Sequence, residues 1–114
     1  MARTYVPDAG EVVWLQFTPQ AGHEQAGMRP ALVVSPAAYN GKTGLMLCCP
    51  LTSQIKGYPF EVRVTNNPKV AGAVLADQVK SLDWRVRKAR RLTRVSDSNL
   101  TEVRGKIKAL IGAV

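Results

Sequence analysis

Histidine occurs once, at His23, and cysteine only as the adjacent pair Cys48 and Cys49. Without a cluster of Cys and His the chain cannot assemble a zinc site of the usual kind, and no metal or cofactor is expected. Neighbours along a strand point to opposite faces, so Cys48 and Cys49 are badly placed to bond to each other and read as reduced thiols. Long apolar runs are also missing. Stretches such as 31–34 and 45–49 fall far short of the ~20 residues that cross a bilayer, so no membrane span is expected. Arg3 is followed by no apolar stretch, so a secretory signal is not expected either, and the cytoplasm is the expected location. Acids are scarce: eight Asp and Glu stand against sixteen Lys and Arg, giving a net charge of +8. That imbalance favours a polyanionic partner, either nucleic acid or an acidic protein segment.

The 114 residues are 46% hydrophobic and 21% charged, which suits one domain over 1–114 with a single core. Residues 11–17 are β-branched and aromatic, lie between Gly10 and Thr18-Pro19, and read as a first strand. Residues 20–28 turn small and polar, with Gly22 and Gly27, and read as a mobile surface loop that carries His23 and Glu24. Apolar runs at 29–35 and 43–51 flank Asn40-Gly41, a dipeptide that favours a tight hairpin turn. Residues 58–64 and 71–76 read as further strands, separated by Asn66-Asn67-Pro68. Residues 84–95 read as extended, with a bulge near Lys88-Ala89. Leu100, Val103, Ile107 and Leu110 then step by three or four, placing them on one face of a terminal helix that Ser96 or Asp97 can cap. Asp97 and Glu102 come early in it and Arg104, Lys106 and Lys108 late, as the helix dipole favours. The sum is a mainly β (α+β) chain: a small, strongly curved barrel of five to seven strands with a C-terminal helix.

Register supplies the sharpest clue to chemistry. A hairpin closed by a two-residue turn at Asn40-Gly41 sets Arg29 directly across from Thr52, with the two side chains on one face. Pro30, Pro36 and Pro50 cannot donate to the ladder and can shift this pairing by a residue. The open end of the hairpin is also where the loop carrying His23 and Glu24 joins the strand. A guanidinium offers planar donors matched to phosphate oxygens, and a hydroxyl adds another, so Arg29 with Thr52 suits a phosphodiester. The plain alternative is a surface Arg at a strand start and a Thr in a turn.

Three segments carry a family resemblance: Glu24-Gln25-Ala26-Gly27-Met28-Arg29-Pro30 with the apolar run after it, Pro50-Leu51-Thr52-Ser53, and Leu75-Ala76-Asp77-Gln78-Val79-Lys80-Ser81. In this order and spacing the chain resembles the MazF/PemK family of toxin–antitoxin ribonucleases over nearly its whole length. The resemblance implies a homodimer of SH3-like barrels that cuts single-stranded RNA without metal. It also implies functional roles for Arg29, Thr52 and Glu24. Met28 between Gly27 and Arg29, and His23 before Glu24, depart from the family pattern and bear on which RNA sequence is preferred.

The chemistry can also be reasoned from the residues. RNA brings its own nucleophile, the 2′-hydroxyl, so an enzyme need only align it, remove its proton, stabilise the phosphorane and protonate the leaving 5′-oxygen. Arg29 is a poor base but a good electrostatic clamp, and it can donate a proton to the leaving group. Thr52 helps to hold the phosphate. Two groups compete for the role of base: Glu24, the carboxylate in the right loop, and His23, whose ordinary pKa near 6.5 suits the task.

Seven of the sixteen basic residues lie between Lys80 and Arg94, against one acid, Asp83. Such an edge can track an RNA backbone with steep salt dependence, dock an acidic antitoxin tail, or simply stay solvated. Phe17 and Met28 flank the loop and can pack on unpaired bases, although Phe17 serves equally well as core. Asn40, Lys56, Gln78, Lys80 and Ser81 supply polar groups able to read base edges or phosphates. Trp14 and Trp84 read as core or dimer packing. Three functions compete: an endoribonuclease toxin, a non-catalytic barrel that binds single strands, and a gyrase-poison-like toxin of the same fold. The last loses its support because residues 111–114 read Ile-Gly-Ala-Val, where such a toxin needs Trp-Gly-Ile.

Overall fold

The computed structural model describes residues 5–16 and 27–112. Its elements are β1 (Glu11–Gln16), β2 (Met28–Val33), α1 (Ala37–Thr43), β3 (Leu45–Thr52), β4 (Glu61–Arg63) and β5 (Ala73–Leu75). A single 3₁₀ turn (Ala76–Gln78) follows, then β6 (Lys80–Asp83), β7 (Arg90–Arg94) and α2 (Asp97–Leu110). Among the described residues the seven strands form one antiparallel sheet in the order β4-β5-β3-β2-β1-β7, with β6 paired to β3 off that path. β3 is shared: its first half pairs with β6, from Leu45 opposite Asp83 to Cys48 opposite Lys80, and its end pairs with β5 through Leu51 and Thr52. Changing partners along one strand curves the sheet. Its path ends at β4 and β7, so the expected barrel is present as a wrapped sheet that does not close.

Both faces of this sheet are covered, which explains why its central strands read as unbroken apolar runs rather than alternation. Val12, Leu32, Cys49, Val62, Val74, Leu100 and Val103 pack on the face under α2. Val13, Leu15, Ala31, Val33, Met46, Cys48, Leu82 and Trp84 pack on the other. Adjacent residues thus divide between two cores, Val12 from Val13, Leu32 from Val33 and Cys48 from Cys49, as the pleat requires. On α2, Leu100 and Val103 are buried, whereas Leu110 is 45% exposed at the far end. The Ser96 side chain accepts a hydrogen bond from the Asn99 amide at 3.1 Å and starts the helix. Asn99 ties the helix to the sheet, accepting from the Thr65 amide and donating to the Arg63 carbonyl. Arg104 does the same with two donors on the Val34 carbonyl, at 3.2 and 2.7 Å.

Two sequence expectations need correction. Asn40-Gly41 does not form a hairpin turn but lies within α1. Pro36 pre-sets the entry to that helix and Gly44, at φ +77°, ends it in a left-handed conformation. The register survives nonetheless: Ala31 lies opposite Pro50, Leu32 opposite Cys49 and Val33 opposite Cys48, because side-chain facing rather than the connection decides the pairing. The extended segment expected at 84–95 is instead the turn after β6 followed by β7, with Lys88 at φ +56°. Trp84 is buried at the start of that turn, and its indole N–H donates to the Asn40 carbonyl at 2.9 Å.

The two cysteines are free and fully buried. Burial pushes the Cys48 thiol up to about 12, against the opposing pull of Lys80 and Arg87. Burial also pushes Cys49 up to about 12, with Cys48 and Asp77 adding to it. Both should therefore resist an aromatic disulfide reagent at pH 8 in native protein and react fast once urea unfolds the chain; rapid native labelling would contradict this burial. Because the folded values lie above the ordinary 9.0, unfolded thiols ionise first as pH rises. Their stabilising contribution is complete below the ordinary value and is lost as pH climbs toward the folded one, at ~1.4 kcal/mol per pH unit for each thiol. Among the described residues no helix is long and apolar enough to cross a membrane.

Candidate active site

The site lies where β2 begins and β3 ends. Continuing the observed register two steps beyond the Ala31–Pro50 pair sets Arg29 against Thr52, both within their strands. Thr52 is also the last rung on its other side, paired with Ala73 of β5. Its hydroxyl accepts from the Gln54 amide at 3.1 Å, which fixes the turn leaving the strand. β5 can approach this closely only because Gly72 has no side chain. A Cβ there would lie 2.1 Å from the Thr52 carbonyl oxygen, and its φ of +120° also disfavours any L side chain.

Arg29 and Thr52 line one open cleft of about 490 Å³, together with Ser53 and Lys69 and an apolar wall that includes Trp14 and Leu92. Arg29 is exposed, and among the described residues no carboxylate lies within ion-pairing distance of it. The described lining contains two cations and no acid, a setting in which a phosphate gains attraction and donors together. A second cleft of about 230 Å³ shares Thr52 and Gln54 with the first and adds Lys56, Tyr58, Asp77 and Gln78. Among the described residues no group of three or more His, Cys, Asp and Glu side chains is arranged to hold a metal ion.

The other residues singled out from the sequence divide clearly. Phe17, His23 and Glu24, with most of the loop expected to be mobile, lie outside the described residues. Met28 is half-buried opposite Gln16 at the start of β2. Lys56 and Gln78 line the second cleft. Lys80 and Ser81 are exposed on β6, opposite Cys48 and Leu47, and line neither cleft. Asn40 is a correction: it is fully buried, so it cannot read a base. Its amide donates to the Pro7 and Ser35 carbonyls at 2.8 and 3.0 Å and accepts from the Ser35 hydroxyl at 2.6 Å. Burying an amide costs free energy unless such bonds replace water, and here they pin α1 to the N-terminal segment.

Trp14 lies outside both cores and lines the first cleft. Lys69, Tyr58 and Gly72 were not anticipated. Gly72, interrupting an apolar run, was the readable one, since glycine inside a strand marks close backbone approach. Much of the basic stretch is committed within the fold. Arg85 stacks on the Trp84 ring at 4.8 Å and donates to the Gly41 carbonyl. Arg87 donates to the Gln16 carbonyl, Arg91 pairs with Glu11 at 3.2 Å, and Arg94 donates to the Ala9 carbonyl.

Comparison with known proteins identifies the family to which the chain is similar. The family described as "PemK-like, MazF-like toxin of type II toxin-antitoxin system" matches residues 8–111. The endoribonuclease toxin MazF of Escherichia coli (strain K12) is 51% identical over 112 residues, covering 98% of this chain and all of that protein. The endoribonuclease PemK of Escherichia coli is 34% identical over 108 residues, 91% of this chain and 81% of that protein. A crystal structure of MazE-MazF (Form-III) from Deinococcus radiodurans superposes with a TM-score of 0.88 at 59% identity, covering 96% of this chain and all of that one. By fold and by sequence over nearly its full length, this chain belongs to the PemK-like, MazF-like toxins of type II toxin–antitoxin systems.

Proposed function

We propose that this chain, as one domain over residues 1–114, is a cytoplasmic endoribonuclease toxin. It cuts single-stranded RNA, mRNA above all, at preferred sequences and without a metal, and so stops translation and growth. The observation that carries this reading is the cleft in which Arg29 and Thr52 meet. The named activity of relatives 51% and 34% identical supports it.

In this reading the scissile phosphate sits on the Arg29 guanidinium, whose charge is set against the two negative oxygens that build up in the phosphorane. The Thr52 hydroxyl, already oriented by its bond from the Gln54 amide, adds a neutral donor. The neighbouring 2′-hydroxyl attacks in line, the P–O5′ bond breaks, and the products are a 2′,3′-cyclic phosphate and a 5′-hydroxyl. Glu24 contributes to removing the 2′ proton, with His23 beside it as the second candidate base, and Arg29 is the candidate donor to the leaving oxygen. Met28, Lys56, Gln78, Lys80 and Ser81 are RNA-contact candidates on the described surface. The protein works as a homodimer, and a net charge of +8 favours neutralisation by an acidic antitoxin of the MazE type, as in the MazE-MazF complexes of a relative.

Purified protein incubated with EDTA and a long unstructured RNA, with ends mapped by primer extension, tests the proposal. Discrete cuts bearing cyclic-phosphate ends are the expected result. Intact RNA that merely shifts in mobility would replace the enzyme with a binding barrel.

A further inference from the structure

We propose that the smaller cleft beside Thr52 is a nucleobase subsite in which Tyr58 is the stacking platform, taking a base adjacent to the phosphate held by Arg29 and Thr52; this rests on the endoribonuclease reading above. Position comes first. Thr52 and Gln54 line both clefts, so a strand whose phosphate occupies one continues directly into the other. Charge then separates what each can hold. The larger cleft carries Arg29 and Lys69 and no acid, whereas the lining of the smaller includes two acids, Glu61 and Asp77, and one base, Lys56. Two carboxylates repel a phosphate, but they tolerate the neutral, donor-bearing edge of a base.

The aromatic group is present and uncovered. Tyr58 is 62% exposed, the most exposed of the large aromatic side chains described, with Lys56 Nζ 6.0 Å from its ring centroid. An exposed ring beside a polar cleft matches how single-stranded RNA is gripped, by stacking that accepts any base.

The segment carrying it is also pinned, although it has no regular secondary structure. The Glu61 carboxylate accepts from the backbone amides of Lys56 at 3.1 Å and Gly57 at 2.8 Å, and the Glu61 amide donates to the Tyr58 carbonyl at 3.0 Å. Lys106 of α2 donates to the Pro59 carbonyl from the other side. Ordering this loop before RNA arrives removes part of the entropy that binding would otherwise lose. Glu61 is therefore a positioning residue for Tyr58.

The test uses a short single-stranded RNA with one mapped cut, and the same RNA with an abasic nucleotide at each position flanking that cut. Wild-type protein should show KM raised about tenfold by one flanking abasic position with kcat little changed, the scale of one lost base–aromatic stack. Tyr58→Ala should raise KM similarly on intact RNA and lose its sensitivity to that abasic position, because both changes remove the same contact. Tyr58→Phe should match wild type, and Tyr58→Gln should repeat the alanine result should alanine fail to fold. Glu61→Ala should raise KM, and Glu61→Gln should restore part of it. A ring-less variant with wild-type KM, or penalties that simply add at every position, would overturn the subsite. Failure of wild-type protein to cut any RNA would instead overturn the endoribonuclease reading.

Discussion

Arg29→Ala should slow RNA cleavage at least about a hundredfold, the usual loss on removing one transition-state donor, or ~2.7 kcal/mol of barrier. The effect should fall on the single-turnover rate, because the charge on the phosphorane oxygens exceeds that on the ground-state phosphodiester and the guanidinium serves the former. Stability should barely change: Arg29 is exposed, and surface changes away from packed or paired groups usually cost less than about 0.5 kcal/mol. Arg29→Lys should recover only part of the rate, since an ammonium keeps the charge but not the planar pair of donors. Single-turnover kinetics beside a thermal melt checks both halves. A folded Arg29→Ala protein that cleaves at near-wild-type rate would reject the assignment of this cleft.

The second large effect concerns stability. Gly72→Ala places a methyl 2.1 Å from the Thr52 carbonyl oxygen, on a backbone at φ +120°. Neither atom is the tip of a flexible side chain, so β5 must part from β3 or the end of β3 must move. We expect a loss of more than about 3 kcal/mol, combining backbone strain with a forced separation of strands. For a domain of this size that lowers the melting temperature by roughly 10 °C or more. Gly57→Ala is the matched control: its φ is +80° but no atom lies within 4 Å of the added methyl, so only the local strain, ~1–2 kcal/mol, remains. Because the displaced atom belongs to Thr52, surviving Gly72→Ala protein should also cleave slowly. Equal melting temperatures for the two variants would show that the close approach does not hold Thr52 in place.

Arg29 and Thr52 could be paired from the chain alone, because centring the connection on Asn40-Gly41 sets the same pairs across residues 31–33 and 48–50 that the structure shows. The expected two-residue turn was wrong and the pairing right, since α1 occupies the connection without changing which faces the strands present. Asn40 failed for a different reason. Polar and near a glycine, it reads as surface, yet nearby Ser35 is joined by Pro7 and Trp84 from distant parts of the chain, and together they bury it. In the basic stretch, Arg87, Arg91 and Arg94 also find carbonyls or a carboxylate on neighbouring segments, partners that no local pattern reveals.

Periodicity and composition by themselves determined the mainly β architecture, the terminal helix and the division of Cys48 from Cys49. All of these depend on which side of its own element a residue faces, and that information is local. Only tertiary structure decided that β6 shares β3 with β5, that Gly72 admits β5 to the end of β3, and that Tyr58 stands over a second cleft. Those outcomes depend on what covers each face, which is settled by segments far apart in the chain competing to bury apolar surface and satisfy backbone polar groups at once.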